Sequence, residues 1–331
     1  MKRNRLLLGI LISLVLLGLA LRHIQPGRVG QALAAADYRF VLLAAGLRLL
    51  ALGLRAVRWS VVLRPVKRVG PRALFPKILI GYFSNYVLPS QSGELVRAYV
   101  LGQREGVSKS STMATILVEK ILDWLTLLLL LSLILLLFPT AGWIRQFGMV
   151  AGVFFLGGLV TLVAMIRYQD ETARLVTRLA SRLSGALAER TDRIVRSFFA
   201  GLRVLRRGSH VGLAAALSAL IWGGQAALFV SIGRSLGLTA PLYAYVLLMA
   251  LFNLSVFVPT MPGKVGALEF IFAAVLGTFS TDQNTALTFA LLFRATHIAP
   301  LLLGYSSLWR EGVRLGEVRE MRREEPVTPA V

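Results

Sequence analysis

Eight ionisable residues lie inside or beside long apolar stretches of this chain: Arg48, Glu94, Glu119, Lys120, Asp123, Lys264, Glu269 and Arg294. A charge at the centre of a bilayer costs about 2.5–3.5 kcal/mol on insertion scales, which makes each a functional candidate. Glu119 and Asp123 stand four apart and share a helix face, with Lys120 beside them. Arg294 follows 11 apolar or neutral residues and precedes 15 more. Glu269 is its natural counter-ion. Interfacial placement with internal ion pairing is the competing account of Glu119, Lys120 and Asp123, but it does not fit Arg294.

Two broken segments must position these charges. Val87-Leu88-Pro89-Ser90-Gln91-Ser92-Gly93-Glu94 can be laid on Phe257-Val258-Pro259-Thr260-Met261-Pro262-Gly263-Lys264 at a constant offset of 170, with Asn85 and Asn253 before them. Short hydrophobic segments interrupted by Gly or Pro, at matching places in two halves, point to a binding site between inverted repeats. Two unrelated kinks are the simpler account. Non-helical backbone at membrane depth persists only when buried in protein or lining a cavity, so both breaks are expected to face the interior. Helix N-termini opened after Gly93 and Gly266 would attract phosphate or carboxylate. The candidate phosphate contacts are then Arg97, Lys120, Lys264 and Arg294. Glu94, Glu119, Asp123 and Glu269 serve as counter-ions or proton carriers, and Asn85, Pro89, Pro259, Pro262 and Gly263 shape the breaks.

The elements around them are membrane spans. The chain has 331 residues, 56% hydrophobic and 16% charged, no cysteine and a formal charge of +21. A soluble domain carries about 25% charged residues. Disorder is excluded by the hydrophobicity, a disulfide framework by the missing cysteines. The basic excess first suggests nucleic acid, but Trp124–Ile144, Gln146–Ile166, Gly208–Gly233 and Ser235–Gly263 hold no charge at all. A bilayer crossing takes about 20 apolar residues. The charge is therefore a topology signal, and nucleic acid is not an expected partner.

Basic blocks mark cytoplasmic loops. Arg55–Lys77 carries seven Lys or Arg and no acid, and Arg167–Arg207 ten against four. Lys2, Arg3 and Arg5 before Leu6–Leu21 resemble a signal peptide, but a retained first helix is the preferred reading. Parity from these blocks makes both termini cytoplasmic. It turns the piece from Ile78 to Leu101 into a hairpin opening inward, while Pro241–Thr278 opens outward and either dips back or crosses twice. The predicted fold is all-α: a polytopic integral membrane protein with about six full spans plus two oppositely oriented re-entrant or broken-helix hairpins in an inverted repeat. A single transmembrane domain covers 1–310, with halves at about 38–138 and 211–308, and 311–331 form a polar tail. Within 167–209, Leu175, Leu179, Leu183 and Leu187 beside Arg174, Arg178 and Arg182 predict a basic amphipathic helix on the inner leaflet.

Enzyme signatures are missing. No His-Glu-x-x-His, Gly-x-Ser-x-Gly or Gly-x4-Gly-Lys-Ser/Thr occurs among residues that include only three histidines. No enzyme activity, metal or cofactor is expected.

At Leu54-Arg55-Ala56-Val57-Arg58-Trp59, Gly81-Tyr82-Phe83-Ser84-Asn85-Tyr86-Val87-Leu88-Pro89, Gly93-Glu94-Leu95-Val96-Arg97, Val118-Glu119-Lys120-Ile121-Leu122-Asp123, Val258-Pro259-Thr260-Met261-Pro262-Gly263 and Gly266-Ala267-Leu268-Glu269, the chain resembles the transmembrane, flippase-like family of lysylphosphatidylglycerol synthases. The resemblance spans about residues 5–310. Lys120 departs from a more usual Arg, and Gly263-Lys264 from a usual Gly-Gly. The resemblance implies a stand-alone member in a bacterial inner membrane, without the soluble synthase domain. It implies a lipid flippase or scramblase moving an anionic or polyprenyl-type envelope lipid between leaflets. The alternative is a membrane-embedded enzyme or accessory subunit of lipid modification, with Glu119 and Asp123 as acid and base. Expected partners are membrane lipids with anionic or phosphate head groups, a second copy of the chain, or lipid-biosynthesis enzymes.

Overall fold

The computed structural model describes residues 2–22, 24–87, 93–140, 142–181, 185–201, 208–255 and 262–312, and the regular structure among them is entirely helical. Leu, Val, Ile and Ala dominate the long elements, and in hydrocarbon a helix is the one open-ended segment that satisfies its own backbone. In order they are α1 (Lys2–Leu21), α2 (Pro26–Ala35), α3 (Tyr38–Leu63), α4 (Pro71–Val87), α5 (Gly93–Glu105), α6 (Lys109–Leu137) and α7 (Gly142–Arg167). Then follow α8 (Gln169–Ser181), α9 (Gly185–Gly201), α10 (Gly208–Ser235), α11 (Leu242–Leu254), α12 (Ala267–Gly277), α13 (Gln283–Ala295) and α14 (Ile298–Arg310).

Four stretches are long and apolar enough to cross a membrane: Tyr38–Leu63, Lys109–Leu137, His210–Ser235 and Gln283–Arg310, the last taken across the bend between α13 and α14. The pair Ile10–Leu21 and Pro26–Ala35, bent by 80°, makes a fifth if its two helices form one broken span. The sequence reading of about six spans also counts α7, of which Leu156–Met165 registers as a shorter apolar helix.

The order long, short, short, long occurs twice. α3, α4, α5 and α6 are followed about 170 residues later by α10, α11, α12 and the α13–α14 pair. The packing repeats as well: α3 on α4, α4 on α5, α5 on α6 and α3 on α6 have counterparts in α10 on α11, α11 on α12, α12 on α13 and α10 on α13. α3 and α10 form the most extensive helix pair, and they run antiparallel. The Asp37 N–H at the start of α3 donates to Ser235 O at the end of α10 over 2.8 Å. Arg58, near the other end of α3, donates to Ser218 Oγ near the start of α10 over 2.8 Å. The second half is thus inverted relative to the first.

Each half closes against the other. α14 packs along α4, and the end of α6 packs on α11. At one end of the molecule Glu311, after α14, pairs with Lys77 of α4 at 2.8 Å and Arg104 of α5 at 2.9 Å. At the other end Phe138, after α6, stacks on Tyr243 of α11 with centroids 4.2 Å apart, and Tyr243 meets Phe279 at 5.5 Å. The core lies mainly in the second half, where Phe229, Phe272, Phe289 and Phe293 are all fully buried.

The short helices cannot cross. At 1.5 Å per residue, α11 with 13 residues and α12 with 11 reach roughly 20 Å and 17 Å against a core of about 30 Å. Pro241–Thr278 therefore dips and returns. α4 and α5 make the matching hairpin: Gly93 sits against Gly81 O so closely that a Cβ would clash, and the Gly93 N–H donates to Asn85 Oδ1 at 2.8 Å.

Two expectations need correcting. Arg55–Lys77 is not one cytoplasmic block: α3 continues to Leu63, so Arg55 and Arg58 lie within the bundle, Arg58 only 1% exposed. The segment 167–209 is not one surface helix but α8 packed on α9, with α9 docked on the start of α6. Ser110 and Ser111 donate there to Ile194 O and Ser197 O, each at 2.8 Å. A four-residue leucine period does not say where a helix breaks. Arg182 and Leu183 lie outside the described residues.

Candidate functional site

The first half assembles a buried ionic chain. α3 presents Arg55 and Arg58 three apart on one face, α5 presents Glu94 and Arg97, and α6 presents Glu119, Lys120 and Asp123. Lys120 Nζ lies 2.7 Å from Glu94 Oε1, and Glu94 Oε2 accepts from Arg97 at 2.9 Å. Arg97 reaches Glu119 at 2.8 Å, whose other oxygen is 3.5 Å from Arg58 Nε. Arg58 and Arg55 then hold the two oxygens of Asp123 at 2.7 and 2.9 Å. Trp222 of α10 donates to Asp123 at 3.1 Å. The Arg97 guanidinium lies 4.1 Å over the Trp59 ring, which is itself hydrogen-bonded to Thr115. Four cations face three carboxylates, and every one of the seven is in an ion pair.

The second half builds a smaller counterpart of the Glu94–Lys120 pair, with the acid again on the shorter, earlier helix and the cation on the next. In the first half α5 gives the acid Glu94 and α6 the cation Lys120, beside the reverse pair Arg97 and Glu119. Here α12 gives the acid Glu269 and α13 the cation Arg294, joined by two bonds of 2.9 and 2.7 Å to Glu269 Oε1. Glu269 Oε2 accepts the Gly266 N–H at 2.8 Å, capping its own helix. Gly266 has φ +85° and Gly263 φ +71°, a left-handed backbone that suits glycine. Arg294 Nη1 donates to Gly263 O at 2.9 Å and to Tyr86 Oη at 3.4 Å. Tyr86 stands in the last turn of α4 and Gly263 in the short turn before α12. The two hairpins therefore meet at Arg294.

Lys264 turns back on its own hairpin, to Phe252 O at 3.0 Å and Ser255 Oγ at 3.3 Å, with the Phe252 ring 4.4 Å away. Arg48 of α3 donates to Thr296 Oγ1 at 2.8 Å and Tyr82 Oη at 3.2 Å, and stacks 4.6 Å over Phe293.

Of the residues read from the sequence, Glu94, Arg97, Glu119, Lys120 and Asp123 gather in the first cluster, and Gly263, Gly266, Glu269 and Arg294 in the second. Asn85 and Gly93 stand together in the first hairpin. Asn85 caps Gly93, whereas its counterpart Asn253 bonds Met249 O within α11. Pro262 opens a short 3-10 turn, Pro262–Lys264; Pro89 and Pro259 fall outside the described residues. The opened helix ends are not vacant: the Gly93 and Gly266 amides already have side-chain acceptors. Sequence reasoning missed Arg55, Arg58, Trp59, Tyr82, Tyr86 and Trp222. The available signal was the three-residue spacing of Arg55 and Arg58 within a helix that runs on to Leu63.

A family model described as the lysylphosphatidylglycerol synthase TM region matches residues 6–304. A UPF0104 membrane protein of Methanothermobacter thermautotrophicus is 30% identical over 276 residues, covering 78% of this chain and 81% of its own. A UPF0104 membrane protein of Methanocaldococcus jannaschii is 21% identical over 322 residues, 90% of this chain and 93% of its own. Part of a protein named glycosyltransferase AglD, from Haloferax volcanii, is 29% identical over 202 residues, 60% of this chain but 32% of that protein. No solved structure matches. With both broken hairpins and both charge clusters inside the matched span, the chain belongs to the lysylphosphatidylglycerol synthase transmembrane-region family.

Proposed function

We propose that this protein carries lipid head groups across the membrane, as a flippase or scramblase for an anionic or polyprenyl-type lipid. The observation that carries the reading is the meeting of two inverted hairpins at Arg294, with charged side chains on both sides. Hairpins of opposite sense around a polar interior suit alternating access, in which one half rocks against the other. The head group would cross along the polar seam while the acyl chains stay in the bilayer. The ends of the molecule favour an orientation. Lys77, Arg104 and the basic stretch from Arg64 to Arg72 lie at the base of the first hairpin, which suits the cytoplasmic side, and Phe138, Tyr243 and Phe279 suit the opposite interface. Both termini are then cytoplasmic, and the membrane is the inner, cytoplasmic one.

Chemistry on the lipid is the less favoured reading. Glu119 and Asp123 are each engaged by two guanidiniums, which leaves little room for either to exchange a proton with a substrate. The likeness to part of a protein named glycosyltransferase keeps a role beside a lipid-modifying enzyme as the second reading. Reconstitution into liposomes separates the two. Accelerated leaflet exchange of a labelled anionic lipid is the expected result. No acceleration for any envelope lipid, or a chemically altered lipid by mass spectrometry, would reject the transport reading.

A further inference from the structure

Five basic residues of the two clusters have a carboxylate within 4 Å: Arg55, Arg58, Arg97, Lys120 and Arg294. Arg48 and Lys264 have none among the described residues. Lys264 is occupied by a carbonyl and a hydroxyl. Arg48 is the more exposed to argument because it is the less exposed to solvent: it is 95% buried, with two of its nitrogens on the neutral oxygens of Thr296 and Tyr82. Its Nη2 is buried and has no hydrogen-bond acceptor. A guanidinium carries five donors and no acceptor, and a buried charge normally has a counter-charge. Among the described residues that counter-charge is missing for Arg48.

The surroundings deepen the imbalance. Arg294 leaves α13 one position after Phe293, the ring beneath Arg48, and reaches Tyr86, one turn along α4 from the Tyr82 that Arg48 holds. Phe293 in turn lies 5.1 Å from Phe252, the ring beneath Lys264. Arg48, Lys264 and Arg294 therefore share one aromatic cluster, and among the described residues Glu269 is the one carboxylate paired with any of the three. The first-half chain offers no such opening, since all its cations are paired.

We infer that Arg48, with the Tyr82 hydroxyl on it and with Tyr86, Arg294 and Lys264 around the same aromatic cluster, is the binding point for a phosphate-type oxyanion entering between α3, α4 and α13. A phosphate has the several acceptor oxygens that a guanidinium fork and neighbouring phenols can share. The source is a lipid head group or free phosphate, the first resting on the lipid-exchange reading above. Arg48 is not among the four phosphate contacts expected from the sequence, three of which are committed to carboxylates.

The test uses the full-length protein purified in detergent, with Arg48→Gln and Arg48→Lys variants. Thermal midpoints are followed against micelles doped with phosphatidylglycerol, with diacylglycerol, and against inorganic phosphate. Without lipid, Arg48→Gln is expected to melt at or above the wild type, because it removes an uncompensated charge. Phosphatidylglycerol should stabilise the wild type and diacylglycerol should not. The half-saturating phosphatidylglycerol should rise roughly tenfold or more in Arg48→Gln, the loss of one charge-assisted contact, and less in Arg48→Lys. A wild-type response to inorganic phosphate alone, lost in Arg48→Gln, supports the site and assigns it to the free ion. Arg48→Gln with reduced stability and an unchanged half-saturation would overturn the inference and leave Arg48 structural. Leaflet exchange, measured separately, divides the outcomes: exchange with binding indifferent to Arg48 rejects this site alone, and Arg48-dependent binding without exchange rejects the transport reading alone.

Discussion

Asp123 accepts from Arg55, Arg58 and Trp222 across three helices, and Arg58 is only 1% exposed. Replacing it by the near-isosteric Asn removes the charge while two guanidiniums stay behind. Breaking one side of a buried ionic network in this way costs about 3–5 kcal/mol, so Asp123→Asn is expected to lower the melting point of the purified protein by many degrees. Arg55→Gln in the same background should recover part of the loss, the coupling expected of neighbours in one network. As a control, Asp192 pairs among the described residues with the exposed Arg196, and Asp192→Asn should stay within about 0.5 kcal/mol of the wild type. At this scale the sequence was partly legible. Glu269 and Arg294 could be matched because each is an isolated charge within its own apolar run. Arg55 and Arg58 could not, because an arginine inside the last turns of a span reads the same as one in the cytoplasmic loop after it.

The hairpins depend on close approach rather than on charge. In the first, α4 and α5 meet where neither Gly81 nor Gly93 has a side chain: a Cβ on Gly93 would strike Gly81 O and come within 2.7 Å of Asn85 Cγ. Backbone cannot move aside as a flexible side chain can, so Gly93→Ala is expected to cost about 1–3 kcal/mol, the range for overpacking. Gly46, inside α3, has nothing within 4 Å of the same added atom. Gly46→Ala should be neutral or stabilise by roughly 0.5–1 kcal/mol through helix propensity. Denaturation of the two variants side by side checks both. Equal effects would mean that the hairpin tolerates separation and is not a rigid unit. Proline and glycine announced the breaks in the sequence, since they act locally. The docking of α9 on α6 was not announced, because it depends on Phe198 and Phe199 finding Val62, Ala114, Val118 and Ala214, residues far away in the chain.

For the molecule as a whole, inversion makes a claim about sides. α6 and the α13–α14 pair run in opposite directions, since α6 lies antiparallel to α3 through Trp59–Thr115 and Arg55–Asp123, while α14 lies antiparallel to α4 through Lys77–Glu311 and Phe83–Tyr305. The turn before α6 and the turn before α13 must then face opposite sides of the membrane. The absence of cysteine makes this directly measurable. Ser108, at the first turn, is exposed and makes no side-chain capping bond; Gly277, at the second, has open space where a side chain would go. In vesicles of uniform orientation, an impermeant maleimide should label Ser108→Cys only from the cytoplasmic side and Gly277→Cys only from the other. Labelling of both from one side would contradict the antiparallel halves. Basic-residue counting foretold this opposition, because loop charge and parity depend on the chain alone. That the two hairpins meet at Tyr86, Gly263 and Arg294 depends on how the halves pack. Under the proposed lipid exchange, the same meeting gives the inversion a use: a head group held there would be reached from one side past the first hairpin and from the other past the second.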